Sequence, residues 1–263
     1  MNRTLRQFGI FLDPYYWQTA VLIAKNGLAR QYRNSFLGML WTLLQPLTMV
    51  IIYATIMPLI MRSSAHDYAL YIIVSLPVWG FFSSSFIAAS TSILGNGEIL
   101  KRCMISSTVF PIADVLRCTY TFFISFLTMY TVAIILFSAF NPLIFLLPLY
   151  FIPVLMIVGA VAIAIAFIAP YIRDVGEMIV VSMNMLVWAT PVIYQITILP
   201  KWAQTLMHWN PFYIMLHPIQ MIAYEHQLPG FYDVLHLLGL TVVAILLGTT
   251  IFRMCRRNYV YYL

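Results

Sequence analysis

Arg30-Gln31-Tyr32-Arg33-Asn34-Ser35 leads straight into Phe36-Leu37-Gly38-Met39-Leu40-Trp41, and from Phe36 to Met61 no side chain carries a charge. Those roughly 26 positions, at a rise of about 1.5 Å per residue, reach about 39 Å as a helix. That is enough to cross a hydrocarbon core about 30 Å thick with some tilt. Apolar residues fall on every face of such a helix, which a globular protein has little use for. The stretch reads as a membrane span, and the arginines at its start mark the side from which it enters.

Composition extends that reading to the whole chain. Of 263 residues, 62% are hydrophobic and 8% are charged, against about 25% charged in soluble domains. A soluble fold would lack polar surface, so a polytopic all-α membrane protein is expected, since barrels show alternation rather than long apolar runs. Met1 to Asp13 holds two arginines but no cleavable apolar core, so no signal peptide is expected. The net charge of +6 is distributed loop by loop rather than over one basic face, which argues against a nucleic-acid partner.

The chain is expected to form a single transmembrane domain over 1–263, with a cytosolic N-terminus and interface helix in 1–35. Asp13-Pro14 has the form of a helix start, Asp as cap and Pro in the first helical position. Behind it Trp17, Ala20, Val21, Ala24 and Leu28 share one face, while Gln18, Lys25 and Asn26 fall on the other. That spacing suits a helix lying in the membrane interface, although Leu22 interrupts the polar side. Six spans are expected, at about 36–61, 69–95, 109–138, 143–170, 178–196 and 234–252, the fifth being the shortest. Asn141-Pro142 is a tight turn between two of them.

Charge tests the topology. With both termini in the cytosol, all of the 14 basic residues except Arg62 and Lys201 fall on the cytosolic side, as the positive-inside rule requires. Cys103, Cys118 and Cys255 lie on or near that reducing side, where no disulfide is expected. The five histidines, His66, His208, His217, His226 and His236, lie on or near the outer side.

Residues 197–233 should form an outer loop, yet they are dense in Trp, Tyr, Phe, Leu and Met. Pro200, Pro211, Pro218 and Pro229 cut the segment into pieces too short to span. One reading is a re-entrant pair of short helices dipping into the outer leaflet, with irregular backbone sheltered by protein. The other is a pair of helices lying flat as an aromatic belt. No internal repeat is visible, which weighs against a secondary transporter built from inverted halves.

Signatures of chemistry are missing. There is no G-x-x-x-x-G-K-[ST], no H-E-x-x-H and no C-x-x-C, and no serine sits in a G-x-S-x-G elbow. The histidines from 208 to 236 are nine or ten residues apart, not a metal-ligand spacing on one helix. His226 beside Glu225 could supply two ligands, but interfacial polar residues explain them more simply. Asp114 and Arg117, near the inner end of the third span, are the ionisable residues within a span, three apart on one helical face, and they are expected to pair. No carboxylate sits near mid-membrane for a proton relay. The chain reads as a conduit without its own energy source, with no catalytic, cofactor or metal residues.

At this point the residues resemble a known family. Gln31 to Trp41 followed by Pro46 is similar to the segment entering the first span of ABC-2 type permeases, the bacterial exporters of O-antigen, capsular and teichoic-acid polymers in particular. Tyr171-Ile172-Arg173-Asp174-Val175-Gly176 resembles their cytosolic turn after the fourth span. Thr190-Pro191-Val192-Ile193-Tyr194 and Trp209-Asn210-Pro211-Phe212 resemble the outer end of their fifth span and the re-entrant segment. The likeness covers nearly the whole chain in order and spacing. Gln31 departs from it, because members often carry a basic residue there.

The resemblance implies a homodimer in the bacterial inner membrane, with two copies of a separate cytosolic ABC ATPase that binds ATP and Mg. It also implies a channel for a lipid-linked polysaccharide. In that setting Glu98, Lys101 and Arg102, with Arg173, Asp174 and Glu177, are the candidates for coupling to the ATPase. Arg30, Tyr32 and Arg33 are candidates for the diphosphate headgroup, because arginine can clamp phosphate oxygens with two parallel hydrogen bonds. Trp188, Tyr194, Trp202, Trp209, Phe212 and Tyr213 are candidates for the exit, since sugar C–H faces lie flat on aromatic rings. Capsular polymer, teichoic acid or a small molecule are the alternative cargoes. An intramembrane enzyme of envelope polysaccharide assembly is the alternative class, and it would need an acidic pair such as D-x-D that the chain lacks.

Overall fold

A computed structural model describes residues 13–33, 38–61, 64–102, 105–137, 140–256 and 259. Ten α-helices are seen among them, with no strand: α1 Pro14–Tyr32, α2 Trp41–Met61, α3 Ala65–Gly95, α4 Gly97–Arg102 and α5 Val109–Phe137, then α6 Leu147–Ile168, α7 Val175–Ala189, α8 Lys201–Met207, α9 Pro211–Ala223 and α10 Phe231–Cys255. The expected starts of the chain (1–12) and of the first span (36–37), the end of the third (138), and Arg62, Cys103 and Arg257 lie outside the described residues.

Five of these elements are long and apolar enough to cross a membrane: Trp41–Leu59, His66–Gly95, Val109–Phe137, Pro142–Ile168 and Phe231–Cys255. The expected fifth span is different. Its helix, α7, ends at Ala189 after 15 residues, about 22 Å of rise and less than the hydrocarbon thickness. The reason is local. Pro191 has no N–H for the helix ladder and biases the residue before it toward extended backbone; Thr190 takes that conformation, at φ −123°, ψ 141°, whereas Pro46, Pro58, Pro77, Pro153 and Pro218 stay within helices.

α3 is the most buried of the spans and α2 the least. α3 packs against α2, α5, α6, α7 and α9, so it forms the axis of the bundle. Lipid tails are as apolar as leucine, so packing rather than water exclusion must hold these helices together. Two devices do so. One is an aromatic cluster in which Phe122 of α5 stacks on Phe151 of α6 at 4.8 Å between ring centres, with Phe81 of α3 5.5 Å and 5.3 Å from the two. The other is close backbone approach of α6 to α10. A Cβ built on Gly248 would lie 2.6 Å from the Ala160 carbonyl oxygen.

Two ends of the bundle can be told apart. At one, Ile93 of α3, Leu100 of α4, Phe167 of α6 and Phe252 and Cys255 of α10 share a cluster. There the Tyr171 hydroxyl donates to the Cys255 carbonyl at 2.7 Å. At the opposite end lie the start of α3, the Asn141-Pro142 turn, the segment 190–210 and the start of α10. Asn141 is buried and does two things there. Its side-chain oxygen accepts from Leu143 N at 3.0 Å, closing the turn, and its amide donates to the Ile222 carbonyl at 2.6 Å, holding the end of α9.

Candidate functional site

α1 begins as its sequence dictates, with Asp13 capping through a 3.0 Å bond from Tyr15 N and Pro14 in the first turn. Its packed face is Tyr16, Ala20 and Ile23, set against Val109, Ile105, Ile112 and Leu116 around the start of α5. Of the face expected from spacing, Ala20 is buried, but Trp17 and Val21 are exposed. The Tyr16 hydroxyl bonds Thr108 Oγ1 at 3.2 Å, and burial pushes its pKa up to about 12 against the opposing pull of that bond. It stays a neutral donor at any physiological pH.

Arg30 and Arg33 stand exposed at the far end of α1, Arg30 donating from Nε to its own helix at Asn26 O, 3.4 Å. The side chain of Tyr32 lies outside the described residues. Gln31, the departure from the family pattern, accepts a 2.8 Å hydrogen bond from Arg117 Nη1. Arg117 also pairs with Asp114 at 3.4 Å, the pairing expected from their spacing. Just beyond, Gly38 takes φ +49°, a conformation open to glycine and costly for other residues, as the chain turns toward α2.

Glu98, Lys101 and Arg102 occupy the short exposed α4, where Arg102 Nη2 meets Glu98 Oε2 at 3.0 Å. Arg173, Asp174 and Glu177 are exposed at the turn into α7. Both groups sit at the same end, since α4 follows α3 directly and a Cβ on Gly176 would lie 3.5 Å from Ser90 Oγ of α3.

The opposite end is built around the unwound stretch after α7. Its carbonyls cannot be satisfied by a helix, and in an apolar surround each unmet group costs several kcal/mol. α3 supplies the donors. The Tyr68 hydroxyl donates to Ile193 O, and that of Tyr71 to Pro191 O and to Tyr194 O. Gln220 of α9 donates to Ser75 Oγ at 2.8 Å and to Pro191 O at 3.2 Å. Asn210 caps α9 by accepting from Phe212 N at 2.9 Å while its amide reaches Thr190 Oγ1 at 3.1 Å. The Thr190-Pro191 and Asn210-Pro211 motifs, twenty residues apart in sequence, are thus one joint.

The six aromatics expected at an exit divide around this joint. Trp188, Trp202 and Trp209 are exposed, at 57%, 70% and 76%. Tyr194 is half-buried, its hydroxyl donating to Trp188 O at 3.1 Å. Phe212 is packed among Trp79, Phe82 and Phe86, and Tyr213 is 2% exposed. The three tryptophans, and in part Tyr194 and Phe212, can meet a molecule outside this chain without rearrangement, whereas Tyr213 cannot.

Tyr213, His208, His217, Asp233 and His236 line a cavity of about 10 Å³, room for no more than one water. His217 Nδ1 lies 3.4 Å from Asp233 Oδ1, and Asp233 Oδ2 accepts from Gly230 N at 3.0 Å at the start of α10. Burial holds the His217 pKa below its ordinary value, outweighing the opposing pull of Asp233. Among the described residues no group of three His, Cys, Asp or Glu could hold a metal ion.

The residues that receive the unwound stretch were not singled out by sequence. A signal existed: Tyr68, Tyr71 and Ser75 fall on one face of an apolar helix at helical spacing, and Gln220 is an amide inside an otherwise apolar run. Polar groups so placed in a membrane protein face other protein.

A family model described as ABC-2 type transporter matches residues 18–224. The chain is 25% identical over 208 residues to an O-antigen export system permease protein of Klebsiella pneumoniae, covering 77% of this chain and 78% of that protein. It is 26% identical over 241 residues to one of Myxococcus xanthus, covering 91% and 93%.

Proposed function

The chain belongs to the ABC-2 type transporter family, and from that premise we propose that it is the permease subunit of an exporter that moves a lipid-linked polysaccharide of the O-antigen kind across the bacterial inner membrane. The observation that carries the reading is the joint between α7 and α9. An interrupted span whose freed carbonyls are taken up by α3 and α9 gives a helical membrane protein irregular backbone at depth, which is found where a pathway must be lined or closed. The relatives' shared role in O-antigen export supplies the cargo class.

In this reading the six-span topology stands, with α7 and the unwound stretch together completing the fifth crossing, and both termini lie in the cytosol. The charge distribution supports that orientation: Lys101, Arg102, Arg173, Arg253 and Arg256 belong to the end where α4, the Tyr171 turn and the end of α10 meet, the cytosolic one by the positive-inside rule. α1 rides at the inner interface, and α8 and α9 form the outer re-entrant segment. Energy comes from a separate ATPase that binds ATP and Mg and docks against α4 and the Arg173 turn. α2 buries little of its apolar length within the chain, which favours a second copy against it. Arg30 and Arg33, with Tyr32, take the diphosphate headgroup, and the aromatics around the outer joint guide the sugar chain.

In a host that has lost this chain, finished lipid-linked polymer should accumulate on the cytosolic face, and the wild-type chain should restore surface polymer. The double substitution Glu98→Ala with Arg102→Ala should leave the protein in the membrane without restoring export. Full export by that variant would remove α4 from the coupling path.

A further inference from the structure

Arg117 joins two elements. Its Nη2 reaches Asp114 on its own helix at 3.4 Å, and its Nη1 reaches Gln31 of α1 at 2.8 Å. Asp114 takes only one of the guanidinium's five N–H donors, and a second is aimed across at α1. The planar guanidinium is suited to the double task because its amino groups diverge in a fixed fork, which lysine lacks. Its stem needs space as well, and Gly27 provides it: a Cβ there would stand 3.2 Å from Arg117 Cδ.

α1 is therefore bolted to α5 at two places, Tyr16 to Thr108 and Gln31 to Arg117. Between the bolts α1 advances about 22 Å along its own axis, and the contact moves about 13 Å along α5. α1 climbs the start of α5 obliquely, so the second bolt fixes how deep its final turn reaches. That turn carries Arg30 and ends at Arg33, the C-cap in extended backbone.

We propose that Arg117, held by Asp114, is a positioning residue that sets the depth and direction of the α1 end bearing Arg30 and Arg33. Its consequence for cargo rests on the reading of those two arginines as the diphosphate site. Placing them at the headgroup level of the inner leaflet pre-organises the clamp, which lowers the ordering cost of binding. The substrate class is then a polyprenyl diphosphate head, recognised before the sugar chain enters.

The test uses the chain assembled with its ATPase in nanodiscs. One readout is the depth of a nitroxide amino acid introduced at Ala29, measured by EPR power saturation. The other is the concentration of a synthetic polyprenyl diphosphate that half-maximally stimulates ATP hydrolysis, with the polyprenol lacking the diphosphate as control. Gln31→Leu and Arg117→Lys are expected to shift the nitroxide and to raise the half-maximal concentration about threefold to tenfold, the loss of one charge-assisted bond in a half-exposed setting. The maximal rate should be kept. Gln31→Glu retains an acceptor for Arg117 and should leave the nitroxide at the wild-type depth. An unmoved nitroxide in Gln31→Leu overturns the proposal whatever the lipid does. A moved nitroxide with an unchanged half-maximal concentration, while Arg33→Lys raises it, also overturns it and leaves the headgroup reading standing. If Arg33→Lys changes nothing, the headgroup reading fails, and the nitroxide alone decides whether Arg117 sets the end of α1.

Discussion

Gly248 shows how much a single hydrogen atom can decide in this fold. A Cβ at that position would meet the backbone of Ala160 at 2.6 Å from oxygen and 3.1 Å from carbon, and backbone cannot swing aside as a flexible side chain can. Gly248→Val should therefore part α6 from α10 and cost on the order of 1–3 kcal/mol, read as a lowered unfolding midpoint in detergent. Gly239 on the same helix, where a Cβ would meet nothing within 4 Å, should accept Ala without such a loss. Gly27 is the intermediate case. Its neighbour is the flexible stem of Arg117, so Gly27→Ala should fold normally and disturb the Gln31 bond. Nothing in the sequence separated these glycines, because spacing shows which residues share a face but not how near the facing backbone comes. The same limit explains α1. Periodicity gave α1 a face of Trp17, Ala20 and Val21 suited to a membrane interface, and did not show that Tyr16, Ala20 and Ile23 would pack around the start of α5.

Among the elements, α9 carries the most specific load. It holds the unwound stretch through Gln220, is capped through Asn210, and meets α10 through His217. Gln220→Leu removes the donor to Ser75 Oγ and Pro191 O and should cost about 1–2 kcal/mol, the upper range for hydrogen bonds between membrane helices. Asn210→Ala removes a cap worth about 1 kcal/mol together with the tie to Thr190. The two act on one joint, so their effects should fall short of adding. His217 gives the element a pH dependence. Burial favours its neutral form, so the docked state binds fewer protons than the undocked one. The stabilisation is present above the ordinary histidine pKa of about 6.5 and lost as pH falls through the depressed value. Facing His217 are His208 and Tyr213 on one side and Asp233 with Glu225 on the other. Cleavage within α9 by an added protease should quicken as pH falls from about 7 to 5, and His217→Phe should flatten that response. That the segment was broken could be read from Pro200, Pro211 and Pro229, which stand at helix starts or in a loop, whereas Pro218, expected to cut the segment too, lies inside α9. Which residues received it could not, since Tyr68 and Gln220 lie far apart along the chain and meet only once α3 and α9 are packed.

For the molecule as a whole, apolar run length was the most legible feature. The helices long enough to cross a membrane coincide with five of the expected spans, offset by a few residues at their ends. The exception, α7, falls short because Pro191 ends it, and hydropathy alone cannot distinguish an apolar helix from an apolar stretch of extended backbone. The residues expected to couple or to bind a headgroup were picked out as charge at run boundaries, and the fold brings Glu98, Lys101 and Arg102 to the same end as Arg173, Asp174 and Glu177. The aromatics expected at the exit stood out only by composition, and the fold sorts them into exposed tryptophans and the more closely packed Phe212 and Tyr213. The central claim is that this chain, energised by a separate ATPase, carries a lipid-linked polysaccharide across the membrane. The measurement that tests it most directly is made on proteoliposomes containing the chain with its ATPase, loaded on one leaflet with fluorescent lipid-linked O-polysaccharide. ATP should make the polymer accessible to a lectin on the opposite side, and neither ADP nor omission of this chain should do so. ATP hydrolysis that proceeds at full rate with lipid-linked polymer present, while the polymer stays on its original side, would contradict the account.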